Sequence, residues 1–381
     1  MSGTSAPTGE QRVDWRIAAP PAGRWFDSPI VRAMLALASG VVFYALRNWF
    51  INPDGEAFPM KFMVDVPLRG FHATHDEMWE LYIHSKFWAF TNTTLGWSVA
   101  QSYQVLSCAA GAVFVFLLLT YVRRFESRHQ LPAFLACVAG GYMQLFFGDV
   151  ENYTLMTALV MAYFLAAAWS LRDRGSVAVP SVLLALAITF HLEAGFLLPS
   201  LAYLYLSAWT RGQRVQVGLA IAGSLFVVGG TFVFFHVAGL PIGDLWTNSH
   251  ALGHGGHFRQ MLATPSVSYY VQIARLSLLL VPAWIVVPFL LLSRRISWDP
   301  INVHLALASI VMTVFVLCWK PQLGIDNDWN LYAMAAVPIS LLAWRNVFNA
   351  IGDGRIPWPV VALIALFSAH SYSWVIANHF L

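Results

Sequence analysis

The stretch FFGDVENYTL, residues 146–155, sets two carboxylates, Asp149 and Glu151, two residues apart between long apolar runs. A charge buried in hydrocarbon costs several kcal/mol, so a pair kept there calls for a use. At this spacing two carboxylates can share a divalent cation such as Mg or Mn, because hard ions take oxygen ligands. They can equally cap the helix that follows, with Asn152 and Thr154 helping. In TFHLEAGFLLPS, His191 and Glu193 are close enough for a proton-transfer or ligand pair. A hydrogen-bonded structural pair fits the same spacing.

Three more segments carry chemistry-bearing residues. VDVPLRGFHATHDEMWELYIHSKFW holds Asp65, Asp76 and Glu77, each a candidate general base. Asp76 and Glu77 also suit the first turn of a helix, where negative charge complements the dipole. TNSHALGHGGHFRQML interleaves His250, His254, His257 and Arg259 with Gly253, Gly255 and Gly256. The glycines argue against a helix that would align three histidines on zinc. A loop offering cations and donors to a phosphate fits, as does a solvated loop without function. Arg275 stands inside an apolar run, where an ionisable residue is a functional candidate. In KPQLGIDNDWNLYA, Lys320, Asp326 and Asp328 flank Trp329. Asp-x-Asp there can hold metal or sugar hydroxyls, or simply start the next helix.

These residues must be positioned by membrane helices. The 381 residues are 58% hydrophobic and 11% charged, where soluble domains carry roughly 25% charged residues. The apolar mass lies in eleven runs: 30–46, 105–122, 131–147, 155–171, 177–190, 195–209, 217–237, 267–292, 303–319, 331–344 and 358–376. Most approach the roughly 20 residues of a bilayer span; the fifth, sixth and tenth are short. The chain is therefore expected to be all-α, a polytopic bundle of about eleven transmembrane helices. Residues 1–28, rich in Gly, Pro, Ser and Thr, read as a flexible cytoplasmic tail with no cleavable signal. Residues 29–381 form one transmembrane domain. Its first outer loop, 47–102, carries an amphipathic interfacial helix with Met78, Leu81, Tyr82, Phe87 and Trp88 near one face.

An N-terminus in the cytoplasm puts 15 of the Lys and Arg residues inside and 6 outside, as the positive-inside rule requires. Twelve of the 19 acids then fall outside, so the candidate chemistry collects on the outer face. A net charge of +3 gives no reason to expect nucleic acid as a partner. Cys108, Cys137 and Cys318 lie in apolar runs, without disulfide or metal spacing. No Walker A, HExxH, Ser-x-x-Lys or dinucleotide motif occurs, and no inverted repeat of the transporter kind.

The helix HDEMWELYIHSKFW in a long acidic first loop, the turn GDVENY after the third span, the turn HLEAGFLLP and the late DNDWNLYA together resemble the C-type (GT-C) membrane glycosyltransferase superfamily. The likeness is diffuse and runs from the first span to the tenth. It implies a sugar transferase using a polyprenyl-phosphate donor. A first-loop acid would act as base or orienter, here Asp76 or Glu77 with Asp65 in reserve. The second-loop acids, Asp149 and Glu151, would bind metal as in some branches of the superfamily. Arg259, Arg275, Lys320, His254 and His257 would meet the donor phosphate. His191 and Glu193 would serve the acceptor, and Asp326, Asp328 and Trp329 the sugar.

The chain ends soon after its last apolar run, so the expected acceptor is lipid-linked or otherwise small. The expected location is multi-pass, in a bacterial inner membrane, with the site on its outer face. A polytopic transporter and a non-catalytic partner in cell-envelope glycan assembly are the competing readings. The oligomeric state is not legible in the sequence.

Overall fold

Backbone amides in hydrocarbon must be satisfied within their own segment, so apolar runs of this length fold as helices. The computed structural model describes residues 25–49, 51, 56, 77–123, 129–173, 175–239, 266–321, 324–352 and 354–380. Among them, regular structure is helical apart from isolated bridge residues at Trp319 and Ile356. Helix α1 is Pro29–Ala45, started by the Ser28 side chain on the Val31 amide and by Pro29 in its first turn. After the first loop come α2, Met78–Leu95, and α3, Val99–Val122. A reciprocal capping box between Ser98 and Gln101 opens α3. Then follow α4, Gln130–Val138; α5, Thr154–Asp173; α6, Ala178–Phe190; α7, Leu198–Thr210; and α8, Arg214–Val237. The last five are α9, Val267–Leu280; α10, Val286–Leu292; α11, Pro300–Cys318; α12, Ala336–Ile351; and α13, Trp358–Phe380.

Each of the eleven apolar runs contains helix, but they do not all span alike. Six helices among the described residues are long and apolar enough to cross a membrane: α3, α5, α8, α11, α12 with the turn before it, and α13. A seventh arises if α9 and the 282–292 segment, bent by 107°, count as one. The third run breaks after nine helical residues, and Gly141–Phe146 continues as a 3-10 turn. The cause is a close approach. A Cβ on Gly140 would lie 2.6 Å from the Leu280 carbonyl oxygen, and one on Gly141 2.7 Å from that of Leu279. The bend after α9 thus docks on a bare backbone. The tenth run is not short: the 3-10 turn Trp329–Ala335 leads directly into α12, giving 23 residues.

Helix α2 exists as expected, but its inward face differs. The buried residues are Met78, Glu80, Leu81, His84 and Thr91, so acid and imidazole point inward with the apolar side chains. Its first turn joins an aromatic cluster at the end of α8. The Trp79 indole donates to Thr231 at 2.9 Å, and its ring stacks on Phe234 at 4.9 Å.

One buried core runs from α1 to α13. Helices α5 and α6, packed together and joined by a short turn, bring Thr154 and Phe190 to the same end of the bundle. At the other end Asp299 caps α11 through the Ile301 and Asn302 amides. Arg345 of α12 meets Asp299 at 2.9 Å and donates to Asn302 at 3.0 Å. Burial raises the Asp299 pKa, but Arg345 and its hydrogen bonds outweigh that and hold the carboxyl below the usual range.

Candidate functional site

Glu77 of the first loop and the acids of the 148–153 turn meet at the end of the bundle where α5 begins. Glu77 stands at the N-cap of α2, yet its side chain makes no capping bond. Instead its Oε2 accepts from Asn152 Nδ2 at 3.0 Å, and its Oε1 lies 3.8 Å from His191 Nε2. The Glu77 side chain is 18% exposed, whereas Asp149, Glu151 and Glu193 are each 6% exposed or less. Of these four acids, Glu77 has the most open carboxylate.

The Asp149–Glu151 turn follows the 3-10 turn. Gly148 there has φ +73°, and a Cβ would come within 2.8 Å of Arg47. The segment after α1 locks this turn: the Asn48 amide donates to the Phe147 carbonyl at 2.6 Å, and Gln104 donates to the Asn48 carbonyl. The structure buries both acids, because α2, α3 and the 329–335 turn close over them. Burial pushes the Asp149 carboxyl up to about 7, against the lowering influence of neighbouring Asn330 and the Val150 amide. Its Oδ2 has no hydrogen-bond partner among the described residues.

The two acids face different neighbours. Asp149 looks to Asn330, while Glu151 lies with Glu193, Glu77 and Asp328 around Tyr153. Burial first, and then these four carboxylates, raise the Tyr153 phenol well above its usual pKa. The first-turn amide of Leu155 is taken by Glu80 Oε1 at 3.1 Å.

His191 and Glu193 do not pair side chain to side chain. His191 Nδ1 accepts the Glu193 backbone amide at 3.2 Å, which turns the ring's other nitrogen toward Glu77. The His191 ring lies 4.7 Å from that of Tyr153. Both Glu193 carboxylate oxygens lack partners among the described residues, and burial pushes this carboxyl well up.

Asp328 precedes the 3-10 turn without a side-chain cap. Asp326 is exposed, and Trp329 packs edge-on against Trp374 at 5.0 Å. Arg275 and Lys320 are exposed and make no ion pair among the described residues. Asp65, Asp76, His250, His254, His257 and Arg259 lie outside the described residues. No three His, Cys, Asp or Glu among the described residues gather to hold a metal ion. The orphaned oxygens of Asp149 and Glu193 are the kind a hard cation takes.

Sequence reasoning did not single out Tyr103, Glu80, His84, Tyr153 or Asn330. Asn152, Tyr153 and Asn330 stood inside the quoted motifs, so adjacency to the acids was an available signal. Glu80 and His84 stood inside the quoted helix HDEMWELYIHSKFW, whereas Tyr103 sits in an apolar helix and offered no signal.

The helical fold is shared with solved membrane-protein structures. Among solved structures the chain is similar to ArnT from Cupriavidus metallidurans bound to undecaprenyl phosphate. The two are 12% identical, with a TM-score of 0.56 over 92% of this chain and 70% of that one. The apo state of the same protein gives a TM-score of 0.55 at 12% identity, over 92% of this chain and 73% of that one. No family model matches the chain, and no curated protein matches it in sequence.

Proposed function

We propose that the protein is a membrane glycosyltransferase that moves a sugar from a polyprenyl-phosphate donor to a lipid-linked or other small acceptor at the outer membrane face. The observation that carries this is the Glu77 carboxylate. It is partly open, bonded by Asn152, set opposite His191, and placed at the acid-rich end of a fold shared with a protein that binds undecaprenyl phosphate. A lipid donor of this kind has an apolar tail for the bilayer and an anionic head for its surface.

In the proposed reaction the acceptor hydroxyl oxygen bonds to the sugar's anomeric carbon as the carbon–oxygen bond to phosphate breaks. The bonding pair leaves with the polyprenyl phosphate, and the hydroxyl proton passes to Glu77. Positive charge developing on the ring is stabilised by the surrounding carboxylates. Arg275 and Lys320, with Arg259, His254 and His257, are proposed to balance the departing phosphate. Asp326, Asp328 and Trp329 are proposed to meet the sugar. A divalent cation held by Asp149 and Glu151 would supply further neutralisation of the phosphate.

The test is mass spectrometry of lipid-linked glycans from cells with and without the gene, and with Glu77→Gln. Loss of the gene should leave an acceptor one sugar short and a raised pool of polyprenyl-phosphate sugar. Glu77→Gln should reproduce that defect, with transfer down by about 100-fold or more. Identical glycan profiles in all three would overturn the proposal.

A further inference from the structure

We propose that Tyr103 and Asn152 are positioning residues that aim the Glu77 carboxylate, with Glu80 pinning the same turn one helical step further along. The inference rests on the reading of Glu77 as the base. The Asn152 amide has two unlike ends. Its Oδ1 accepts the Tyr103 hydroxyl at 2.9 Å, and its Nδ2 donates to Glu77 Oε2 at 3.0 Å. Were the amide flipped, its oxygen would face a carboxylate oxygen, acceptor against acceptor. The acceptor-only carboxylate fixes which end of the amide faces it, and the Tyr103 hydroxyl donating to Oδ1 anchors the amide, and so Glu77, from the other end.

Tyr103 can do this because it has one place to be. It is fully buried, and the His84 ring stacks on it at 3.7 Å and 10°. His84 is itself fully buried, one turn along α2 from Glu80, with 3.7 Å between Nε2 and Oε1. Glu80 Oε1 also accepts the Leu155 amide, one of the first-turn groups of α5 that has no partner within its own helix. Glu77 and Glu80 are three residues apart, as are Asn152 and Leu155. Helix α2 thus grips the 152–155 segment at two points with matched spacing, and a slip by one residue would break both bonds. With Oε2 held by Asn152, Oε1 is the carboxylate oxygen that faces His191.

Tyr103→Phe deletes one hydroxyl and keeps the ring stack, so it tests the aim of Glu77. The first readout is the carbodiimide labelling rate of Glu77 in the purified full-length protein, followed by mass spectrometry, which needs no turnover. The rate should change about tenfold, the weight of one hydrogen bond within a charged chain. Asn152→Ala should change it at least as much. Tyr163→Phe, which removes a buried hydroxyl contact to Ser200 at 2.7 Å, should leave it unaltered. An unchanged rate in both Tyr103→Phe and Asn152→Ala overturns the proposal. The second readout is transfer kinetics. Tyr103→Phe should lower kcat about tenfold at constant KM, with no further loss in a Glu77→Gln background. Additive losses would mean that Tyr103 acts elsewhere. Absence of transfer by the wild type would remove the base reading of Glu77, while the labelling rate still decides whether Tyr103 aims it.

Discussion

Asp149 and Glu151 are separated by one valine, yet Asp149 faces Asn330 while Glu151 lies beside Tyr153. Asp149 has a carboxyl raised to about 7, chiefly by burial, from an ordinary value of 3.8. The sign of its effect on stability follows from linkage. Below about pH 4 the folded and unfolded chains both hold the proton, and the stabilisation relative to the ionised site is complete. Between about pH 4 and 7 the unfolded chain releases the proton while the folded one keeps it, so stability falls as pH rises. The slope reaches at most about 1.4 kcal/mol per pH unit. Asp149→Asn removes this titration. Its melting temperature in detergent should therefore climb relative to the wild type across that window. Parallel melting curves from pH 4 to 8 would show that Asp149 titrates as an ordinary surface acid. A divalent cation bound there would favour the ionised form, so Mg or Mn should flatten the wild-type profile and leave the Asn variant's profile alone. A profile indifferent to both ions would remove the cation from the proposal.

Elements position these residues through places where helices stop. Helix α4 ends early where the Leu280 and Leu279 carbonyls pack against the bare α-carbons of Gly140 and Gly141. Ser371 of α13 leans on the same junction, 3.4 Å from the Ala139 carbonyl. Gly140→Ala should therefore destabilise the protein by about 1–3 kcal/mol, the usual cost of overpacking, read as a lower midpoint in thermal unfolding. An unchanged midpoint would mean that the hairpin after α9 moves away freely. The apolar run 131–147 was legible as one segment, but its break was not, because the carbonyls that forbid a Cβ come from a segment about 140 residues later in the chain. In α2 the apolar residues suggested one interfacial face. Glu80 and His84 point inward instead, because Leu155 and Tyr103 await them there.

At the scale of the molecule, α1 starts at one end of the bundle and finishes at the other. His379, near the end of α13, lies 2.8 Å from the Arg47 carbonyl that follows α1. The end of α13 thus shares the end of the bundle that carries Glu77 and Asp149, while the turn between α5 and α6 lies at the opposite end. In a Cys318→Ser background, Ser176→Cys in that turn should react with an impermeant maleimide only after the membrane is opened. A reporter joined after Leu381 should be accessible from outside. Labelling of Ser176→Cys in intact membranes, or a reporter found inside, would overturn the proposed orientation and, with it, an outer-face site.

The sequence by itself determined the bilayer as solvent and the helical class. A chain 58% hydrophobic and 11% charged in long blocks can satisfy its backbone in a bilayer only as helices. Tertiary structure decided the partnerships. His191 meets the Glu77 carboxylate rather than that of Glu193, Asp149 meets Asn330, and Tyr103 reaches Asn152 across 49 residues. Such pairings depend on which helix ends come together and which way each side chain turns. Those are set by close packing between distant segments, such as bare glycines under carbonyls and a tyrosine under an imidazole, and no local spacing encodes them.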